Sequence, residues 1–244
     1  MEIASQNTPA RESEDALRYL PRKAPISFRK RQIVFDVHHP PNAVCLILKG
    51  RVKVTFPLHD GSETVVDILS AGDFLGEHSL LPSTSCSERA VALDNGSLMS
   101  WTSLEIEQQC ARQPKLAIAL IRLFARRGLD YQARLQSFAL DKTPERLVRF
   151  LLRLADRLGT RTDDGCIAIP PLTHQVIADY VGTTREIVNL QMNQLRHNGS
   201  VRYSRKEIQI YTRDLRHCLR PRVRRSAGAP GPAPNPGAVV DWHL

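Results

Sequence analysis

Leu172-Thr173-His174-Gln175-Val176-Ile177-Ala178-Asp179-Tyr180-Val181-Gly182-Thr183-Thr184-Arg185-Glu186-Ile187-Val188-Asn189 is the stretch that decides how this chain is read. Thr173 is placed to cap a short helix whose inner face carries Ile177, Ala178 and Val181. Gly182 supplies a turn, because a positive φ costs glycine little. Thr183 and Glu186 have the T-x-x-E spacing of a capping box, which opens a second helix anchored inward by Val188. Two short helices joined through glycine, with a small residue at their crossing, predict a helix-turn-helix.

The N-terminal end of such a second helix meets base edges. Arg185 can donate two hydrogen bonds to guanine, and Glu186 can accept from cytosine. Asn189 lies one turn on. Thr173, Gln175 and Thr184 are suited to phosphate oxygens beside the helix N-termini, with His174 and Thr183 flanking them. Ser200 to Ile210 reads as two short strands around the basic turn Arg205-Lys206, a wing that would lie along the DNA backbone. The excess of 34 Lys and Arg over 25 Asp and Glu, formally +9, suits a polyanionic partner.

Upstream, the period changes twice. From about Pro25 to Ser103 short apolar runs alternate with turn signals. Val44 to Leu48 is one run, Arg51 to Phe56 alternates with period two, and Glu63 to Leu69 returns after a hairpin at Asp60-Gly61. Regularly spaced short strands predict an antiparallel sandwich or barrel. Then Ala117, Ile121, Phe124, Gly128, Tyr131, Leu135 and Phe138 repeat at spacings of four and three, a heptad seam on one long helix. Leu116, Leu120 and Leu123 form a second stripe suited to the chain's own β-domain. A helix with two apolar faces wants two partners. The seam is assigned to a second copy of the chain through Ile121, Phe124, Tyr131 and Leu135, against the competing reading of a helix buried within one domain. Thr143 is a candidate N-cap with Pro144 behind it, and the helix from Glu145 to about Arg157 presents Leu147, Phe150, Leu151 and Leu154 inward.

The expected fold is therefore α+β. It comprises a partly disordered segment 1–24, an antiparallel β-roll 25–110, a dimerisation helix 111–140, a winged helix-turn-helix 141–219 and a disordered Arg-, Pro- and Gly-rich tail 220–244. Neither a basic-then-apolar leader nor an apolar run of about 18 residues is present. A soluble, cytoplasmic protein is expected. The five cysteines, Cys45, Cys86, Cys110, Cys166 and Cys218, include no C-x-x-C pair, so neither a metal site nor a disulfide framework is expected. No G-x-S-x-G, P-loop or HExxH motif calls for catalysis, and an enzyme is not expected.

From about Pro25 to His217 the sequence resembles the Crp/Fnr family of bacterial regulators. Leu46-Ile47-Leu48-Lys49-Gly50-Arg51-Val52 and Gly72-Asp73-Phe74-Leu75-Gly76-Glu77 look like its cyclic-nucleotide-binding β-roll. Val181-Gly182-Thr183-Thr184-Arg185-Glu186-Ile187-Val188 looks like its recognition helix. The resemblance implies a DNA-binding transcription regulator, working as a homodimer with double-stranded DNA and RNA polymerase. It also implies an effector site around Gly76, Glu77, Cys86, Ser87, Tyr131 and Gln132. The effector is unknown. A β-roll module regulating another protein, or a haem or redox sensor of the same family, are the alternatives.

Three departures qualify what the resemblance implies. Nucleotide binders carry Arg-Ser where Val91-Ala92-Leu93 aligns Cys86-Ser87. Aligning on Glu88-Arg89-Ala90 would instead make Arg89 the phosphate partner. On the first alignment a buried cyclic phosphate lacks its cation, and cyclic AMP is not the expected effector. His78 lies near the haem-ligating position of a carbon-monoxide-sensing member, but Gly76 stands where that member has cysteine. His38-His39 reads as loop. Leu190 replaces a second base-reading arginine, so the operator is expected to differ from that of relatives.

Overall fold

The computed structural model describes residues 16–58, 61–81 and 86–219. The period-two stretches become strands because alternate side chains find a common core. β1 (Ile26–Phe28), β8 (Gly96–Thr102), β3 (Ala43–Lys49) and β6 (Phe74–Leu75) make one antiparallel sheet in that order. β2 (Ile33–Phe35), β7 (Arg89–Ala92), β4 (Val52–Pro57) and β5 (Glu63–Leu69) make the other. Ile47, Val52, Leu69, Leu75, Ala90 and Ala92 meet between them. The expected β-roll is present, with β4 and β5 paired from Val52↔Leu69 to Pro57↔Glu63. Of the proposed 59–62 hairpin tip, residues 59 and 60 lie outside the described residues, as do 1–15 and the tail from 220. Ala16 and Leu20, in the segment expected to be partly disordered, are buried against Trp101 and Leu116. The Trp101 Nε1 donates to the Pro21 carbonyl at 2.9 Å.

The long helix starts later than expected. α1 (Ser103–Arg112) is separate, capped by Thr102, whose amide donates to the Glu105 carboxylate. The chain breaks at Gln113, and Pro114 opens α2 (Pro114–Leu140). Proline fits a first helical position, where its missing N–H is no loss. The 110/111 boundary thus cuts the last turn of α1. Leu116, Leu120 and Leu123 pack on Val44, Leu46, Phe74 and Trp101, as the second stripe requires.

α3 (Thr143–Leu158) begins one residue earlier than expected. Glu145 accepts the Lys142 amide at 2.6 Å, so Lys142 rather than Thr143 sits at the cap. Leu147, Phe150, Leu151 and Leu154 are buried together with residues of α4 (His174–Val181) and α5 (Arg185–His197). β9 (Thr160–Arg161), β10 (Ile167–Ile169), β11 (Val201–Tyr203) and β12 (Ile208–Ile210) form a small sheet, and α6 (Thr212–Cys218) closes the domain. β11 and β12 pair Val201↔Ile210 to Tyr203↔Ile208, making the wing. Val65 and Ile68 of β5 belong to the same buried cluster as Ile177 and Tyr180 of α4, so the roll and the helix-turn-helix share a core.

Candidate DNA interface and regulatory pocket

Thr173 caps α4, its hydroxyl accepting from the Val176 amide at 3.2 Å. Gly182 ends α4 at φ 72°, and both Gly182 and Thr183 donate their amides to the Ala178 carbonyl. Thr183 is thereby used to close α4 and is not the cap of α5. Thr184 takes that role one residue later, at φ −90° and ψ 157°, accepting from the Ile187 amide at 3.4 Å. Glu186 falls in the first turn. Its own amide, then the Thr184 hydroxyl, hold its carboxyl below the usual range. This corrects the T-x-x-E reading by one residue without moving the helix off its place.

Arg185, Glu186, Asn189 and Leu190 are all exposed on one end and face of α5, while Val188 and Met192 are fully buried beneath them. The Gln175 amide is turned to Asp179 at 2.7 Å. His174 sets its ring edge-on to Tyr203 of the wing, with centroids 5.8 Å apart. Burial, then Arg185, push its pKa down. The Tyr203 hydroxyl donates to the Asn193 Oδ1 at 2.9 Å, and Arg196 lies over the Tyr203 ring. Tyr203 therefore fastens wing, α4 and α5 together, a role its sequence position did not announce. Arg205 and Lys206 project from the wing turn, where the Ser204 hydroxyl accepts the Lys206 and Glu207 amides.

Around the candidate effector residues of the roll, a carboxylate and a guanidinium already meet. Gly76 is at φ 80°, and a Cβ there would lie 2.6 Å from the Ala43 carbonyl oxygen, so no cysteine fits that position. Glu77 opens a 3-10 turn (Glu77–Leu80), and its carboxylate accepts from Arg127 of α2 at 2.5 Å. The same guanidinium donates to the Phe74 carbonyl at 2.5 Å. Burial works against the Arg127 charge, but Glu77 and nearby acids outweigh it and raise its pKa. Cys86 is buried in the roll core with its thiol toward the Glu88 carbonyl, and offers no cation. Ser87 is exposed. Arg89 alternates with the inward Ala90 and pairs with Glu63 at 3.0 Å, so it faces away from the core. That favours the alignment on Cys86-Ser87. Neither Cys86 nor Ser87 brings a positive charge to this part of the roll. His78 stands 3.6 Å from Glu88. Tyr131 is half-buried, and burial, then Asp67, push its phenol up. Gln132 is exposed.

The proposed seam divides along the same line. Ile121, Gly128 and Leu135 are exposed, with Ile118 and Leu129 beside them. Phe124 instead packs partly buried on the chain's own roll. Phe138 touches Gly182 and the Arg134 and Arg146 guanidinia. The outward stripe is therefore Ile118, Ile121, Ala125, Gly128, Gln132 and Leu135 rather than the one carrying Phe124 and Tyr131. Among the described residues no helix is long and apolar enough to cross a membrane.

Comparison with known proteins agrees with this architecture. Residues 25–113 match the family model of the cyclic nucleotide-binding domain, and residues 145–216 match that of the Crp-like helix-turn-helix domain. The chain is similar to the CRP-like cAMP-activated global transcriptional regulator of Mycobacterium tuberculosis, 30% identical over 194 residues, covering 76% of this chain and 83% of that protein. It is similar also to the global nitrogen regulator of Nostoc sp., 28% identical over 187 residues, covering 76% and 84%. The structure of FixK2 from Bradyrhizobium japonicum superposes with a TM-score of 0.71 at 22% identity, covering 81% of this chain and 97% of that one. With its roll, its long helix and its winged helix-turn-helix in that order, the chain belongs to the Crp/Fnr family of transcriptional regulators.

Proposed function

We propose that the chain works as a cytoplasmic homodimer that reads a palindromic operator, recruits or blocks RNA polymerase there, and is regulated through the β-roll. The observation that carries the reading is the exposed set Arg185, Glu186 and Asn189 at the capped N-terminus of α5, with Arg205 and Lys206 on the adjoining wing. The outward stripe of α2 supports the dimer: Ile121 and Leu135 are 62% and 69% exposed in a single chain, an apolar surface that a second copy would cover. Two-fold symmetry places half-sites about 34 Å apart, one helical turn of DNA. Arg185 and Glu186 read a G·C pair in each half-site. Residues 25–113 form the sensory unit, α2 the dimer helix, and 141–219 the DNA-binding unit. Cyclic AMP is not its effector, because Glu77 is already held by Arg127 and Cys86 supplies no charge to a phosphate.

A randomised operator library, bound at two salt concentrations, tests the DNA reading. Arg185→Ala is expected to cost about 1–3 kcal/mol per half-site and to relax the preference at one base pair. Arg205→Ala and Lys206→Ala are expected to weaken all sequences alike and flatten the salt dependence. Retention of the wild-type preference by Arg185→Ala would make Arg185 a phosphate contact and overturn this docking.

A further inference from the structure

The roll and the DNA-binding unit are joined by a buried cluster of opposite charges. Asp67 of β5 is 3% exposed. Arg157 of α3 forks across two carboxylates of the roll, reaching the Asp67 Oδ1 at 3.0 Å and the Asp73 Oδ2 at 2.8 Å. Arg153, one turn earlier, lies 3.6 Å from Asp67 and 3.5 Å from Asp130 of α2. Arg134 of α2 completes the joint. It donates to the carbonyls of Val65 and Val66 in the roll and to that of Tyr180 in α4, and lies 3.9 Å over the Tyr180 ring.

A carboxylate as buried as Asp67 is costly unless a cation meets it, and the cations it has come from another domain. Such a pair contributes little net stability compared with an apolar contact. Its effect is geometric, because only one pose of α3 satisfies both acids at once. Asp73 also accepts the Ser70 amide and hydroxyl, in the turn that runs directly into Gly76-Glu77. The pose of the reading domain is thus tied to the segment that carries the candidate regulatory residues.

We infer that Arg157 is a positioning residue for DNA recognition: its fork across Asp67 and Asp73 sets the angle at which α4 and α5 are presented, and makes that angle answer to the turn before Glu77. This deepens the DNA-binding reading and rests on it. Arg157 does not touch DNA; it acts through the pose of α3.

The test uses the full chain. Hydrogen exchange is followed without DNA at the β5 amides Val65 to Leu69 and the α4 amides Ile177 to Val181. Affinity for the selected operator and sequence preference on the library are measured beside it. Arg157→Gln is expected to speed exchange in both segments and to lower operator affinity about tenfold, a common size for coupling between sites, with the preferred sequence unchanged. Arg157→Lys keeps the charge but not the fork, and should fall between the two. Arg149→Gln, which loses a pair to Asp141 on the exposed side of α3, should leave both readouts at wild-type values. If Arg157→Gln does not fold, Asp73→Asn removes one arm of the fork only and is judged by the same two readouts. Unchanged exchange and affinity in the folded variant would overturn the inference. Faster exchange in a chain whose wild type binds no DNA would refute the DNA reading while upholding the latch between domains.

Discussion

Replacing Gly182 by alanine probes the joint between the long helix and the helix-turn-helix at a single atom. Gly182 is at φ 72° and ψ 55°, where an L-residue is disfavoured by about 1–2 kcal/mol. A Cβ at this position would also lie 2.8 Å from the Cε1 of Phe138 on α2. Overpacking of that kind costs about 1–3 kcal/mol, and the lower end applies because the ring is 38% exposed and has room to swing. The expected loss is about 2–3 kcal/mol. Gly199→Ala is the internal control, since Gly199 has φ 74° but nothing within 4 Å of the added carbon. It should lose only the conformational part, about 1–2 kcal/mol. Urea denaturation monitored by circular dichroism gives both values. The excess of about 1 kcal/mol in Gly182→Ala should vanish in a Phe138→Ala background, as a double-mutant cycle on two touching groups requires. Equal costs for the two glycines, or an excess that survives without Phe138, would refute the contact and the rigid seating of α4 against α2 that follows from it.

Three further outcomes are expected. Ile121→Glu with Leu135→Glu should give a monomer by light scattering at micromolar concentration, whereas Phe124, turned to its own roll, should tolerate conservative replacement without loss of the dimer. Calorimetry with cyclic AMP should show weak binding or none; tight stoichiometric binding would mean that Arg127 releases Glu77 to accept the nucleotide. Burial opposes the charge on Asp67, but Arg157, Arg153 and Arg127 outweigh it and hold its carboxyl below the usual carboxylate range. A depressed carboxyl contributes stability that is complete above its unfolded pKa and lost as pH falls through the folded one. Acid titration of unfolding should therefore steepen below about pH 4 and be flatter in Asp67→Asn; equal slopes would refute the pairing.

The elements and their order were legible in the residues alone, because they depend on spacing along the chain. Period two with a Gly turn specified β4 and β5. The four-and-three repeat specified α2, and Thr173, Gly182 and Val188 specified the helix-turn-helix, since caps, turns and inward faces are local matters of backbone and burial. The misses have a common cause. Thr183 and Thr184 are equivalent as capping residues until the Thr183 amide turns back to Ala178, and Phe124 and Ile121 are equally apolar until the roll covers one of them. Arg146, Arg149, Arg153 and Arg157 stand at spacings of three and four, so a basic face of α3 was readable. Nothing in that spacing says that Arg157 meets Asp67 and Asp73, about ninety and eighty-four residues away, rather than water or DNA. Likewise Glu77 looks free for a ligand until α2 brings Arg127 against it. Long charged side chains take their partners from whichever distant segments the packed core sets beside them, and no local spacing encodes which those are.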